Sequence, residues 1–296
     1  MSSRLPDFKA VAERSQRRLG SEGAARLLDA GRAWDLAPAL RSGGAVLFPH
    51  LSLEVCGHQA AAAVHACLDS GADRVLVLGV LHALTDELED ARVRVANGGD
   101  PSREGSWGIQ GPGLRGRADW TREFSLSNFL FLMREEVARR GVDGPELVVR
   151  YPYLAGGRPG NLPGVEELES VAANAVIVAT ADPFHHGVGY GDSEEEALTI
   201  DGGGLELAKT WIGEGLAILA AGDHAGYNRH CVEAKSDARD VGQVLRHVVG
   251  PLTGRVLDLV AEDMSEAYEA PAPTWVAGAL IELEPDRVSD GRKEKQ

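Results

Sequence analysis

Three histidine positions follow short apolar runs in this chain. His50 comes just after Ala45-Val46-Leu47-Phe48, His82 shortly after Arg74-Val75-Leu76-Val77-Leu78, and the pair His185-His186 after Val176-Ile177-Val178-Ala179-Thr180. Imidazole is the commonest side-chain ligand for iron, zinc and copper. Two histidines with a carboxylate or thiolate, leaving positions open, form the facial arrangement through which Fe(II) holds a substrate and dioxygen together. A further histidine at the open face can act as acid or base. One histidine after a strand is ordinarily structural. Three strand ends that each deliver one point to a shared site.

The apolar runs are short enough to be buried strands, and turn signals such as Ser42-Gly43-Gly44 bound them. An alanine-rich helix over Gln59–Leu68, closed by Gly71, separates the first two and makes a β-α-β unit. In open α/β sheets, ligands bind in the crevice beyond the carboxyl ends of the strands, which is where these histidines fall. Further strands are expected at Glu146–Val149, Arg255–Val260 and Val276–Leu283. Helices are expected at 125–140, 205–220 and 238–249, with one or two more within 8–40. The fold class is therefore α/β: a single domain with a largely parallel or mixed sheet flanked by helices. Residues 1–44 read as a helical extension packed on the core, 45–285 as the domain with the site, and 286–296 as a charged tail.

Residues 97–121 are rich in glycine and proline and too polar for core. They read as a long loop, a candidate lid in which Trp107, Arg115 and Arg117 could meet an aromatic or anionic substrate. Residues 181–191 read as a glycine-rich loop.

The bulk numbers narrow the function. The 296 residues carry 45 acidic and 30 basic side chains, a formal charge of -15, which argues against nucleic acid as a partner. Three widely spaced cysteines fit a reducing cytoplasm better than a disulfide framework. No apolar stretch is long enough to span a membrane, and the first twenty residues lack the apolar segment of a signal peptide.

Several other residues read as structural. Cys56 and Cys67 pack on the alanine helix, and His58 and His65 share one of its faces. Glu194-Glu195-Glu196 reads as the acidic opening of a helix. Gly202-Gly203-Gly204 lacks the Lys-Ser/Thr of a phosphate loop. Asp182 is suited to fixing a histidine tautomer, and His224 and His230 are candidates to support a ligand.

Read together, these segments resemble the Memo family. Pro49-His50-Leu51-Ser52-Leu53-Glu54-Val55-Cys56-Gly57 is similar to its P-H-x-x-x-x-x-C/S-G segment. The run from Arg74 to Gly79-Val80-Leu81-His82 is similar to its strand ending G-x-x-H. Asp182-Pro183-Phe184-His185-His186-Gly187 is similar to D-x-x-H-x-G, and Trp275–Leu280 to its closing strand. The resemblance runs from about residue 45 to 283. It implies the fold shared with class III extradiol dioxygenases, His50 and His82 as metal ligands, and His185 as the pocket acid or base, with Asp182 and His186 beside it. It also implies a third ligand just before the helix at 238–249. Memo proteins place a cysteine in a C-G-R segment there. Alignment back from Gly242 puts Asp237 at that place, with Cys231 and Glu233 as alternatives.

A second departure lies in the family's E-H-S-L/I-E-x-x-L-P segment. Here it reads Glu123-Phe124-Ser125-Leu126-Ser127-Asn128-Phe129-Leu130-Phe131, so the pocket wall becomes more apolar. Phe124, Phe129, Trp107 and Arg117 are the expected substrate contacts. The expected function is a mononuclear non-heme Fe(II) oxygenase acting with O2 on a small, aromatic or partly apolar molecule. The alternatives are a zinc-dependent hydrolase or lyase on the same ligands, copper at the same site, or a non-catalytic interaction protein.

Overall fold

Alternation along the strands divides the core in two. Val46, Phe48, Val75, Val77 and Val178 point to one face of the sheet, and Ala45, Leu47, Leu76, Leu78, Ile177 and Ala179 to the other. Successive strand side chains must do this. Because both faces are covered by helices, each run is apolar throughout rather than alternating with polar residues. This computed structural model describes residues 7–286.

The chain begins with helices α1 (Phe8–Gly31) and α2 (Ala37–Arg41), then strand β1 (Ala45–Phe48), α3 (Leu53–Ser70), β2 (Arg74–Leu78), α4 (Asp86–Ala96), β3 (Gly108–Gln110) and α5 (Ser127–Arg140). It continues through β4 (Glu146–Tyr153), α6 (Val165–Ala172), β5 (Val176–Thr180), β6 (Phe184–Gly187), α7 (Leu205–Ala220), α8 (His224–Glu233), α9 (Ala238–Val249), β7 (Leu252–Asp263) and β8 (Thr274–Pro285). The eight strands form one mixed sheet in the order β3-β4-β2-β5-β1-β8-β6, with β7 also paired to β8. The strands β4, β2, β5 and β1 are parallel. The pairs of β8 with β1, β6 and β7 are antiparallel, as is β3 with β4.

The expected strands at 45–48, 74–78 and 176–180 and the helices at 205–220 and 238–249 lie where the sequence places them. Three readings change. The segment after β5 is not simply a loop, because Phe184–Gly187 pairs with Thr274–Ala277 as a strand. Glu194-Glu195-Glu196 forms a turn and opens no helix. The stretch 97–121 contains the short strand β3, which is hydrogen-bonded to β4 and so tied to the sheet.

Helix α1 lies on α3 and α5, so residues 8–41 share the core of the rest. The contact with α3 is close: a Cβ on Gly31 would stand 2.7 Å from both the backbone nitrogen of Ala62 and the Cβ of Ala61. Gly71 closes α3 with a left-handed φ of 74°, which glycine adopts without strain. The proposed charged tail, apart from Asp286, lies outside the described residues. Among the described residues no helix is long and apolar enough to cross a membrane.

Candidate metal centre

Strands β2, β5 and β1 are neighbours and parallel, so their carboxyl ends open on one side of the sheet. His50 follows β1 after Pro49, His82 follows β2, Thr180 ends β5 and Asp182 lies just beyond it. Asp237 enters from the same side at the start of α9.

The hydrogen bonds of His50 settle its tautomer. Its Nδ1 lies 3.1 Å from Thr180 Oγ1, and the Thr180 hydroxyl donates its proton to the carbonyl of Phe48 at 2.9 Å. The hydroxyl oxygen can then only accept, so Nδ1 of His50 carries the proton. Its Nε2 is left facing the cavity. His82 is fixed the same way, with Nδ1 donating to Glu123 Oε1 at 2.9 Å. Glu123 also accepts from the backbone N–H of His82 at 2.7 Å, of Phe124 at 2.7 Å and of Ser125 at 3.0 Å. Burial would raise the pKa of Glu123, but His82 and these amides outweigh it and hold the carboxyl below its usual range. A carboxylate behind a ligating histidine is a common device for fixing the ring.

The two free nitrogens converge. Nε2 of His50 is 3.3 Å from Nε2 of His82. Asp237 Oδ2 lies 3.2 Å from the first and 3.7 Å from the second. Asp237 Oδ1 accepts from the backbone N–H of Asp182 at 2.6 Å, whereas Oδ2 is buried with no hydrogen-bond partner. A buried carboxylate oxygen without a donor is costly. The three donor atoms lie within 4.8 Å of one another, so His50, His82 and Asp237 could hold a metal ion. The local charge also fits a cation: Asp182, Asp237 and Glu123 surround the two rings, and Asp182 Oδ2 is itself 3.4 Å from His50 Nε2. Burial, reinforced by the charge of Asp237, pushes the Asp182 carboxyl up to about 7. Asp237 is lowered despite its burial, because both histidines favour its ionised form.

Of the alternatives to Asp237, Cys231 is buried on α8 with its thiol toward Tyr227 and Ser236. Burial pushes that thiol up to about 12, and it is not one of the donors that converge with His50 and His82. Glu233 is exposed at the end of α8.

His185 and His186 are adjacent on β6, so they point to opposite faces. His185 lines the cavity beside the cluster, packs on Tyr190 at a ring distance of 4.9 Å, and has a buried Nδ1 without a partner. Burial lowers its pKa to about 4, so the ring is neutral at neutral pH. His186 is turned away from the cluster, held between Asp192, 3.0 Å from its Nδ1, and the backbone N–H of Leu198, which donates to its Nε2 at 2.9 Å.

Of the four expected substrate contacts, only Phe124 reaches the cavity. Its ring stacks on His82 at 4.5 Å and 18°. Phe129 is buried in the core, stacked on Phe48. Trp107 packs between the two core clusters. Arg117 is paired with Asp119 and Glu87, away from the site. His230 binds the carbonyl of Trp211 and supports no ligand. His224 begins α8 and is likewise apart from the cluster.

The sequence reading passed over Thr180 and the role of Glu123. It also passed over Phe8, Tyr190 and Tyr268, which wall the cavity. That cavity has a volume of about 1020 Å3 and reaches His50, His82, Asp182, His185 and Asp237. Aromatic rings line it in sequence: Phe8 stacks on Phe124 at 5.1 Å, Tyr268 is 6.1 Å from Phe8, and Tyr190 is 5.3 Å from Tyr268. No family model matches the chain and no curated protein matches it.

Proposed function

We propose that this protein is a mononuclear non-heme iron oxygenase in which His50, His82 and Asp237 hold Fe(II) and a small, partly apolar or aromatic substrate occupies the adjoining cavity. The observation that carries the reading is the convergence of two imidazole nitrogens and one unpartnered carboxylate oxygen on one point at the cavity floor. Two histidines and one carboxylate leave several positions of an iron ion open, enough for both substrate and dioxygen. When bound, the iron supplies the redox chemistry that lets the two react at one centre. The motif order that resembles Memo proteins and class III extradiol dioxygenases supports the same assignment.

The chain's own residues supply the rest. Thr180 and Glu123 hold the two rings in the ligating tautomer. Phe124 blocks one side of His82 and offers a flat apolar wall. His185, neutral and facing the cavity, takes a proton from a substrate hydroxyl at its ring nitrogen. The aromatic arc from Phe124 to Tyr190 gives the cavity an apolar wall for the ring or chain of the substrate.

The same donors suit zinc, which would make the site hydrolytic by lowering the pKa of a bound water. The intact ligand set stands against the third expectation, a purely non-catalytic interaction protein. The test is anaerobic reconstitution with Fe(II) or Zn(II), followed by a catechol and aminophenol panel in an oxygen electrode. Oxygen uptake with iron alone is expected. No uptake with any member would contradict ring cleavage, and turnover with zinc in the absence of O2 would select hydrolysis.

A further inference from the structure

A recess of about 50 Å3 adjoins the cluster, lined by His82, Asp237, Arg92, Tyr153, Arg239 and Asp240 among others. One water needs about 10–15 Å3 by this measure, so a two-oxygen group fits. Arg239 lines both this recess and the large cavity. It stands two residues beyond Asp237 on α9, and only 8% of it is exposed.

Its guanidinium has no hydrogen-bond acceptor among the described residues. The nearest carboxylate is Asp240, with Oδ2 3.6 Å from Arg239 Nη2. At 3.6 Å that carboxylate is beyond hydrogen-bond reach of Arg239, and its two oxygens are turned to the backbone N–H groups of Leu154 at 3.0 Å and Ala155 at 2.7 Å. The other cations at the cavity are paired: Arg92 makes two hydrogen bonds to Glu89, and Lys235 is bound to Asp192. The Arg239 guanidinium lines the recess and the cavity with donors that no protein acceptor takes up, and an arriving oxyanion can take them as charge-assisted bonds. The planar fork matches a carboxylate, which can accept two parallel N–H bonds.

We propose that Arg239 is an anion-binding residue of this site, and that the substrate is an apolar ring or chain bearing a carboxylate, which docks in the recess beside His82 and Asp237. The inference rests on the reading of the cluster as a metal centre, but the anion subsite is testable without the metal. The carboxylate sits on Arg239, and the apolar part lies in the main cavity against Phe124 and Tyr268.

The experiment is titration calorimetry of benzoate, benzamide and phenyl phosphate into wild type, Arg239→Gln and Arg239→Lys, each metal-free and zinc-loaded, with zinc content measured alongside. Wild type should bind benzoate in both metal states and more tightly than benzamide. Arg239→Gln should lose about 10-fold to 100-fold in benzoate affinity while leaving benzamide binding and zinc content unchanged. Arg239→Lys, which keeps the charge without the fork, should recover only part, and it serves as the test if the glutamine variant does not fold. Equal benzoate affinity in wild type and the variants, or no benzoate binding by wild type, overturns the proposal. Tighter binding of phenyl phosphate than of benzoate overturns the carboxylate assignment. Loss of zinc binding in wild type, with Arg239-dependent benzoate binding intact, would sink the metal reading and leave the anion subsite standing.

Discussion

Nε2 of His50 and Nε2 of His82 stand 3.3 Å apart, each on a ring whose Nδ1 already donates elsewhere. Two lone pairs cannot face each other at that distance without something positive between them. Burial disfavours a charged His82, but Glu123 and Asp237 outweigh it and raise its pKa to about 10. In the metal-free protein at neutral pH, a proton on His82 therefore fills the place. A metal ion has to displace that proton.

Metal binding should accordingly release protons and tighten as pH rises, by up to about tenfold per pH unit for each proton displaced. Titrating Zn(II) into metal-free protein in two buffers of different ionisation enthalpy, across pH 6 to 8, measures the release. An affinity independent of pH would show that the ring is already neutral.

The same shift has a sign for stability. The folded pKa of His82, about 10, lies above the ordinary 6.5. Its contribution is therefore fully present below about pH 6.5 and is lost as pH rises toward 10. Thermal unfolding of metal-free protein should show a falling Tm over that window, and zinc-loaded protein a smaller fall. A Tm of metal-free protein that rises across the window would contradict the pairing of His82 with Glu123.

Glu123→Gln keeps the size of the side chain but removes the acceptor that orients His82. Metal affinity should fall about 10-fold to 100-fold, read by competition with a chromogenic chelator. Asp237→Asn, which removes the charge of the third candidate ligand, should lower the affinity further. Unchanged affinity in both variants would mean that these carboxylates do not serve the site.

His185 lines the cavity and belongs to no ligand set. His185→Gln should keep its iron and lose about 10²–10⁴-fold in oxygen-uptake rate with any substrate the wild type turns over. Loss of iron in this variant would make His185 a ligand instead.

Gly31→Ala tests the packing of α1 on the domain. The added Cβ would meet α3 backbone at 2.7 Å, and overpacking of this kind costs about 1–3 kcal/mol. Urea unfolding should show that loss in a single transition. A separate early transition would mark residues 8–41 as an independent unit.

The legible parts of this chain were those with apolar runs and turn signals. Val176–Thr180 is apolar along its length because β5 is central and covered on both faces, so its limits could be read directly. Helix α4 was not legible: Asp86–Ala96 reads DELEDARVRVA, with only Leu88, Ala91 and Val95 buried. Its remaining signal was the Thr85 cap, whose hydroxyl accepts from Leu88 N–H. Helices α6 and α8 were missed as well, and with the latter went the α8–α9 turn that carries Asp237 into the site. His186 is next to His185 in sequence but not at the site, because a strand sends neighbours to opposite faces. Phe129, Trp107 and Arg117 have the residue types of substrate contacts, but type does not say whether a side chain faces the core, a salt bridge or the cavity. Thr180 has meaning for the site only through its partners, Phe48 and His50, which lie far off in sequence.

The most direct test of the central claim is elemental analysis of untagged protein purified anaerobically and reconstituted with Fe(II), wild type beside His50→Ala/His82→Ala. The cluster predicts near-stoichiometric iron in the wild type and its loss in a folded double variant. Iron absent from the wild type, or bound equally by both, would contradict a metal centre at His50, His82 and Asp237.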